Sequence, residues 1–178
     1  MIALSATTSA DGNSSQRYEL EIIKSERTLR VLHGDTVAKA YRIAAGRGGS
    51  GDKQRVGDRK TPVGTYRIVE LRTSRKFDQF FQLNYPNVKD AFYGLKNENI
   101  NRAEFDQILN ALKRGNAPPQ NTELGGAIGI HGLGRVTNEK LRIHDAVNWT
   151  EGCIALTNEQ LQDLRKYVAI GTVVVIRE

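Results

Sequence analysis

Polar and apolar positions alternate from Tyr18 to Ile23, and Thr28 to Leu32 repeats the pattern through Leu29 and Val31. His33-Gly34-Asp35 interrupts it and Val37 to Ala44 resumes it. Alternation with period two around a Gly-Asp turn predicts a β-hairpin or meander. Thr61-Pro62-Val63-Gly64 then turns the chain into a strand over Thr65 to Leu71. Further strands are predicted over Leu124 to Ile130, in the short turn and strand Thr150 to Leu156, and in the valine-rich close from Thr172 to Arg177.

Two stretches carry helical spacing instead. Asn101 is placed to cap a helix, with Glu104 three residues on as its capping-box partner and Phe105, Ile108, Leu109 and Leu112 as the apolar face. Gly115 and Pro118-Pro119 stop it. Thr157 with Gln160 repeats the box before Leu161, Leu164 and Val168. The expectation is a mostly β domain over residues 17–178 with two helices, the first in an insertion at about 74–124. Residues 1–16, rich in Ser, Thr, Ala and Gly, read as a flexible leader, without the basic and apolar regions of a signal peptide.

The length of 178 residues suits one core. No apolar run is long enough to span a membrane. A single cysteine excludes an internal disulfide framework and zinc ribbons or fingers. The net charge of +6 favours anionic partners, but no basic block or helix concentrates it, so a nucleic-acid partner is not expected.

Two motif matches fail on context. Gly46-Arg47-Gly48-Gly49-Ser50-Gly51 fits G-x-G-x-x-G, yet turn residues rather than a helix follow, so the dinucleotide fingerprint is incomplete. Arg47 to Lys60 reads as a flexible, basic, Gly-rich loop beside a site. His131, His144, Glu151 and Cys153 lack metal-ligand spacing, so neither metal nor cofactor is expected.

The chemistry concentrates in Gly129-Ile130-His131-Gly132 and Trp149-Thr150-Glu151-Gly152-Cys153-Ile154. Each places a reactive side chain where a strand meets glycine, which lets backbone approach a ligand closely. A thiol attacks as thiolate, and a histidine accepts its proton when a third group orients the ring. His144, followed by Asp145, is the rival base; on its own it reads as a surface histidine in a polar loop over 142–148. Trp149 reads as a packing residue that roofs the site.

These residues resemble the L,D-transpeptidase catalytic domain, or YkuD domain. Its His-Gly pair corresponds to His131-Gly132, and its [Ser/Thr]-x-Gly-Cys segment to Thr150-Glu151-Gly152-Cys153. Lys60-Thr61-Pro62-Val63-Gly64-Thr65-Tyr66 resembles an upstream segment of the same family. The resemblance implies an L,D-transpeptidase-type β-sandwich or barrel and a peptidoglycan stem peptide as substrate. Cys153 is then the nucleophile, His131 the base, the Gly132 carbonyl its orienting group, and N–H groups near Gly152 and Cys153 the oxyanion hole.

Glu151 stands where many members have histidine, and Ala155 where many have arginine or asparagine. A carboxylate ligand must then come from Arg135, Arg142, Arg55 or Arg59, with Thr150, Gly152 and Trp149 completing the substrate site. The departures resemble members that detach lipoprotein from peptidoglycan by hydrolysis. Transpeptidase, hydrolase and catalytically dead wall-binding module are thus the competing outcomes. A periplasmic or envelope location is implied, with an outer-membrane lipoprotein as a further partner.

Overall fold

The computed structural model describes residues 18–178, so the expected leader at 1–16 lies outside the described residues. Eight strands form one sheet in the order β3-β2-β1-β8-β4-β5-β6-β7. The predicted meander is present as β1 (Tyr18–Ile23), β2 (Thr28–His33) and β3 (Thr36–Arg42), paired antiparallel. The turn between β1 and β2 carries Arg27 at positive φ, and the turn before β3 carries Gly34. β8 (Val173–Arg177) enters between β1, to which it is parallel, and β4 (Gly64–Ser74), to which it is antiparallel.

β4 is the long strand, and its register shifts between Ile68 and Glu70. Such a bulge bends a strand and increases its twist. Past it, β5 (Asp78–Leu83), β6 (Gly129–His131) and β7 (Ile154–Ala155) complete the sheet. The sheet curls until Ala155, on β7, exchanges two backbone hydrogen bonds with Ala44, just beyond β3 (3.0 and 2.8 Å). Both free edges are thereby joined locally, which is how a sheet approaches a barrel. The core lies inside the curl and includes Leu20, Ile22, Tyr66, Ile68, Phe81, Ile130, Ile154 and Val174.

The fold is mostly β, as expected, but among the described residues four helices accompany the sheet, not two. The Asn101–Glu104 box caps α2 (Arg102–Lys113), and the Thr157–Gln160 box caps α4 (Asn158–Leu164); Val168 lies beyond the end of the latter. Two helices were not foreseen. α1 (Val88–Lys96) is started by an Asn87–Asp90 capping box. α3 (Asn138–Ala146) occupies much of the expected polar loop and buries His144.

Residues 74–124 are also less uniform than expected. They contain β5, paired on both sides in the sheet, before α1 and α2 begin. The expected strand over 124–130 shrinks to Gly129–His131, because Gly125 and Ala127 adopt positive φ and break extended pairing. A second small core of Ala91, Ile100, Ile108 and Leu124 holds α1 and α2 together.

Candidate active site

β6 and β7 run parallel, with Ile130 opposite Ile154 and His131 opposite Ala155. Ile130 and Ile154 enter the core, so alternation turns His131 and Ala155 to the other face. Cys153 directly precedes β7, two residues before Ala155, the strand partner of His131.

His131 is 2% exposed and packed among rings: Phe77 at 4.0 Å between centroids, Trp149 at 6.1 Å and Phe80 at 6.3 Å. Its Nδ1 lies 2.7 Å from the Gly132 carbonyl oxygen. A carbonyl only accepts, so Nδ1 carries the proton and Nε2 is the unprotonated nitrogen. Burial pushes the ring down to about 4, beyond what the Gly132 hydrogen bond restores, and the nearby Lys140, Lys76 and His144 push it the same way. The imidazole is therefore neutral near pH 7. Gly132 has to be glycine, since a Cβ there would meet Asn158 Oδ1 at 2.6 Å and the Phe77 carbonyl at 2.7 Å.

Cys153 is partly exposed, and its thiol donates to the Ala127 carbonyl at 3.2 Å. Burial raises the thiol to about 11, opposed by the Gly129 backbone N–H and by the charges of Lys53 and Lys76. Thiol and imidazole both rest uncharged near pH 7. The Thr150 side chain, 3% exposed, ties the turn: its hydroxyl donates to the Cys153 carbonyl (2.6 Å) and accepts from the Gly152 N–H (3.2 Å). That N–H is thus engaged within the turn.

Glu151 is exposed and paired with two arginines. Its carboxylate is held by Arg47 (Nε at 2.9 Å) and Arg59 (3.2 Å) of the Gly-rich loop. Arg59 is therefore committed to Glu151. Arg55, Arg135 and Arg142 are exposed, and no side-chain hydrogen bond or ion pair ties them to the Cys153 turn. Trp149 does roof His131, edge to face, while its indole N–H donates to Nδ1 of His144 at 3.4 Å. The expected surface histidine is instead the buried residue of α3, with Nε2 unpartnered.

Sequence reasoning passed over three contributors. Phe77 and Lys76 come from the β4–β5 turn, which only the curl of the sheet carries to His131. Ala127 is held at positive φ by Gln120, whose Oε1 accepts its N–H at 2.6 Å. An alanine and a glutamine in a loop carry no local signal of this kind.

Residues 17–176 match the YkuD family, the L,D-transpeptidase catalytic domain, and the chain belongs to it. YafK of Escherichia coli (strain K12) is 33% identical over 81 residues, which is 42% of this chain and 33% of YafK. Among solved structures, the helical cell shape determining protein Pgp2 of Campylobacter jejuni, as its K307A mutant, superposes with a TM-score of 0.60 at 22% identity. That match covers 93% of this chain and 48% of the Pgp2 chain. Bd1075 of Bdellovibrio bacteriovorus gives 0.55 at 22% identity, over 94% of this chain and 50% of the other. An L,D-transpeptidase from Mycobacterium smegmatis gives 0.52 at 11%, over 91% and 59%. This chain thus spans a third of YafK and about half of the Pgp2 chain. Among the described residues no helix is long and apolar enough to cross a membrane.

Proposed function

We propose that this chain is a cysteine acyl-transfer enzyme acting on peptidoglycan stem peptides, an L,D-transpeptidase with Cys153 as nucleophile and His131 as general base. The observation that carries this reading is the His131–Gly132 contact, which leaves Nε2 as the free base on the strand beside Cys153.

The reaction begins from a neutral thiol. As sulfur attacks the peptide carbonyl, Nε2 of His131 takes the thiol proton, and the Gly132 carbonyl stabilises the imidazolium through Nδ1–H. The carbonyl oxygen becomes an oxyanion, with the Cys153 N–H as its nearest candidate donor. Collapse expels the terminal amino acid as an amine, which takes the proton back from Nε2. A thioester remains on Cys153. An acceptor amine then attacks it, loses its proton to His131 and restores the thiol.

Water in place of the amine makes the same site a hydrolase, including one that frees a lipoprotein from the wall. Ala155, fully buried where many relatives carry arginine or asparagine, favours that alternative because no side chain there can hold a substrate carboxylate. Such substrates place the protein in the periplasm or cell envelope.

Tetrapeptide muropeptides followed by mass spectrometry test both. Cross-linked dimers support the transpeptidase and tripeptide products the hydrolase. No product, with no carbapenem adduct on Cys153, would leave only a wall-binding module.

A further inference from the structure

Lys76, in the turn from β4 to β5, is held beside the imidazole of His131. Phe80 pairs with His131 across β5 and β6, and the Gly132 N–H donates to the Gln79 carbonyl at 3.4 Å. The Lys76 carbonyl lies where a Cβ at position 134 would stand, so Gly134 lets this turn close on the segment that follows His131. The side chains stack in the same order. The Lys76 ammonium lies 5.0 Å from the centroid of the Phe77 ring, whose centroid is 4.0 Å from that of His131.

This cation is uncommitted. Among the described residues its ammonium has no carboxylate partner and no hydrogen bond, and the side chain is exposed. Two other lysines near the reactive groups are engaged: Lys53 pairs with Asp58 at 2.8 Å, and Lys140 donates to the Leu133 carbonyl. Lys76 also acts electrostatically on both His131 and Cys153. A free ammonium at a site that handles peptides is a ready partner for a carboxylate.

The proposed reaction fixes which carboxylate. His131 returns its proton to the departing amine, so the leaving nitrogen must lie against that ring. In a terminal amino acid the α-carboxylate is two bonds from the nitrogen. It is therefore delivered to the His131 side of the site, where Ala155 offers no cation. We propose that the Lys76 ammonium binds the free terminal carboxylate of the donor peptide. The inference rests on the proposed peptide substrate and deepens it. The contact selects a departing α-amino acid over a departing side-chain amine, whose carboxylate lies several bonds further off.

The test is calorimetry at low salt on Cys153→Ala, which binds peptide without turnover. The ligands are a stem tetrapeptide as its free acid and as its C-terminal amide. The acid should bind about fivefold more tightly, the size of one exposed charge pair. Lys76→Met, which keeps the aliphatic stem on Phe77, should abolish that preference by weakening the acid alone. Lys76→Arg should retain it, and Arg75→Met, which removes the neighbouring charge, should alter it less than twofold. Thermal midpoints establish that the variants are folded. Equal binding of acid and amide, a preference that survives Lys76→Met, or equal losses from Lys76→Met and Arg75→Met overturns the contact. Turnover of the native chain on the same peptide is read separately. Normal turnover without the acid preference removes the Lys76 contact alone, whereas a preference that persists without turnover removes the acyl chemistry alone. Failure of both peptides to bind, with no turnover, overturns both.

Discussion

The thiol of Cys153 donates to the Ala127 carbonyl across 3.2 Å, a contact that only the protonated sulfur can make. With the thiol pushed up to about 11 and His131 pushed down to about 4, the pair is uncharged from about pH 5 to about pH 9. Alkylation by iodoacetamide should therefore climb through the alkaline range with no inflection near the ordinary histidine value. A plateau already reached at neutral pH would reveal a preformed thiolate–imidazolium pair. Turnover, which needs the neutral ring, should persist on acidification and fall only as pH approaches about 4.

The same burial of His131 makes stability depend on pH. Its folded value, about 4, lies below the ordinary 6.5, so the unfolded chain binds the extra proton between them. Stability should rise with pH across that window, by at most ~3 kcal/mol for a shift of this size. Below about 4 the contribution is fully lost. Urea midpoints of the native chain and His131→Gln measure it as the difference in slope over the window. Asp58 does not confuse the comparison: although burial alone would raise it, Lys53 and the N–H groups of Gln54, Lys60 and Arg55 hold it below the usual carboxylate range, in a more acidic window.

What could be read from the chain was what is encoded over a few residues. The Asn101–Glu104 and Thr157–Gln160 boxes are local devices and appear as helix starts. The meander from Tyr18 to Arg42 shows its period in the residue order. α3 does not, because Asn138–Ala146 is polar almost throughout, and Arg27 and Arg42 secure its last carbonyls from distant turns and strands. The fate of Glu151 was equally hidden, since Arg47 lies over a hundred positions away and meets it only once Gly46 pairs with Thr150. Cys153 and His131 stood out because glycines flank both, whereas Phe77 and Ala127 contribute through geometry that no short pattern records.

Gly152 has φ of +134°, and a Cβ there would come within 2.8 Å of the Lys60 carbonyl. Gly152→Ala should cost ~1–3 kcal/mol through strain, with a further loss from the clash, and should misplace the thiol. Gly34→Ala, also at positive φ but in open space, separates the two effects. Thermal melts and carbapenem labelling of Cys153 check both substitutions.

Glu151→Gln releases Arg47 and Arg59 on an exposed surface, where such pairs contribute ~0–1 kcal/mol. The melting temperature should barely move. Because two guanidinium groups already offset the carboxylate, the alkylation rate of Cys153 should change less than twofold. A larger change would show that Glu151 tunes the thiol.

Arg27 donates to the carbonyls of Asp145 (2.8 Å) and Val147 (3.1 Å), and to that of His144. Arg27→Ala should cost ~1–3 kcal/mol by leaving the end of α3 uncapped. The only tryptophan of the chain, Trp149, follows directly, so its fluorescence reports the disturbance near the site. An unchanged spectrum with normal stability would refute the link between α3 and the roof over His131.

The position of β8 in the middle of the sheet has a bearing on how the protein is made. Among the described residues β1 is the first strand to be made, and its partner Val173–Arg177 is the last. Until that strand emerges, only the Ala44–Ala155 and Gly46–Thr150 bridges can join the meander to the rest of the sheet, and β1 and β4 keep open edges. Synthesis must therefore reach Arg177 before the sheet can close, and any shorter nascent chain is an unsealed intermediate.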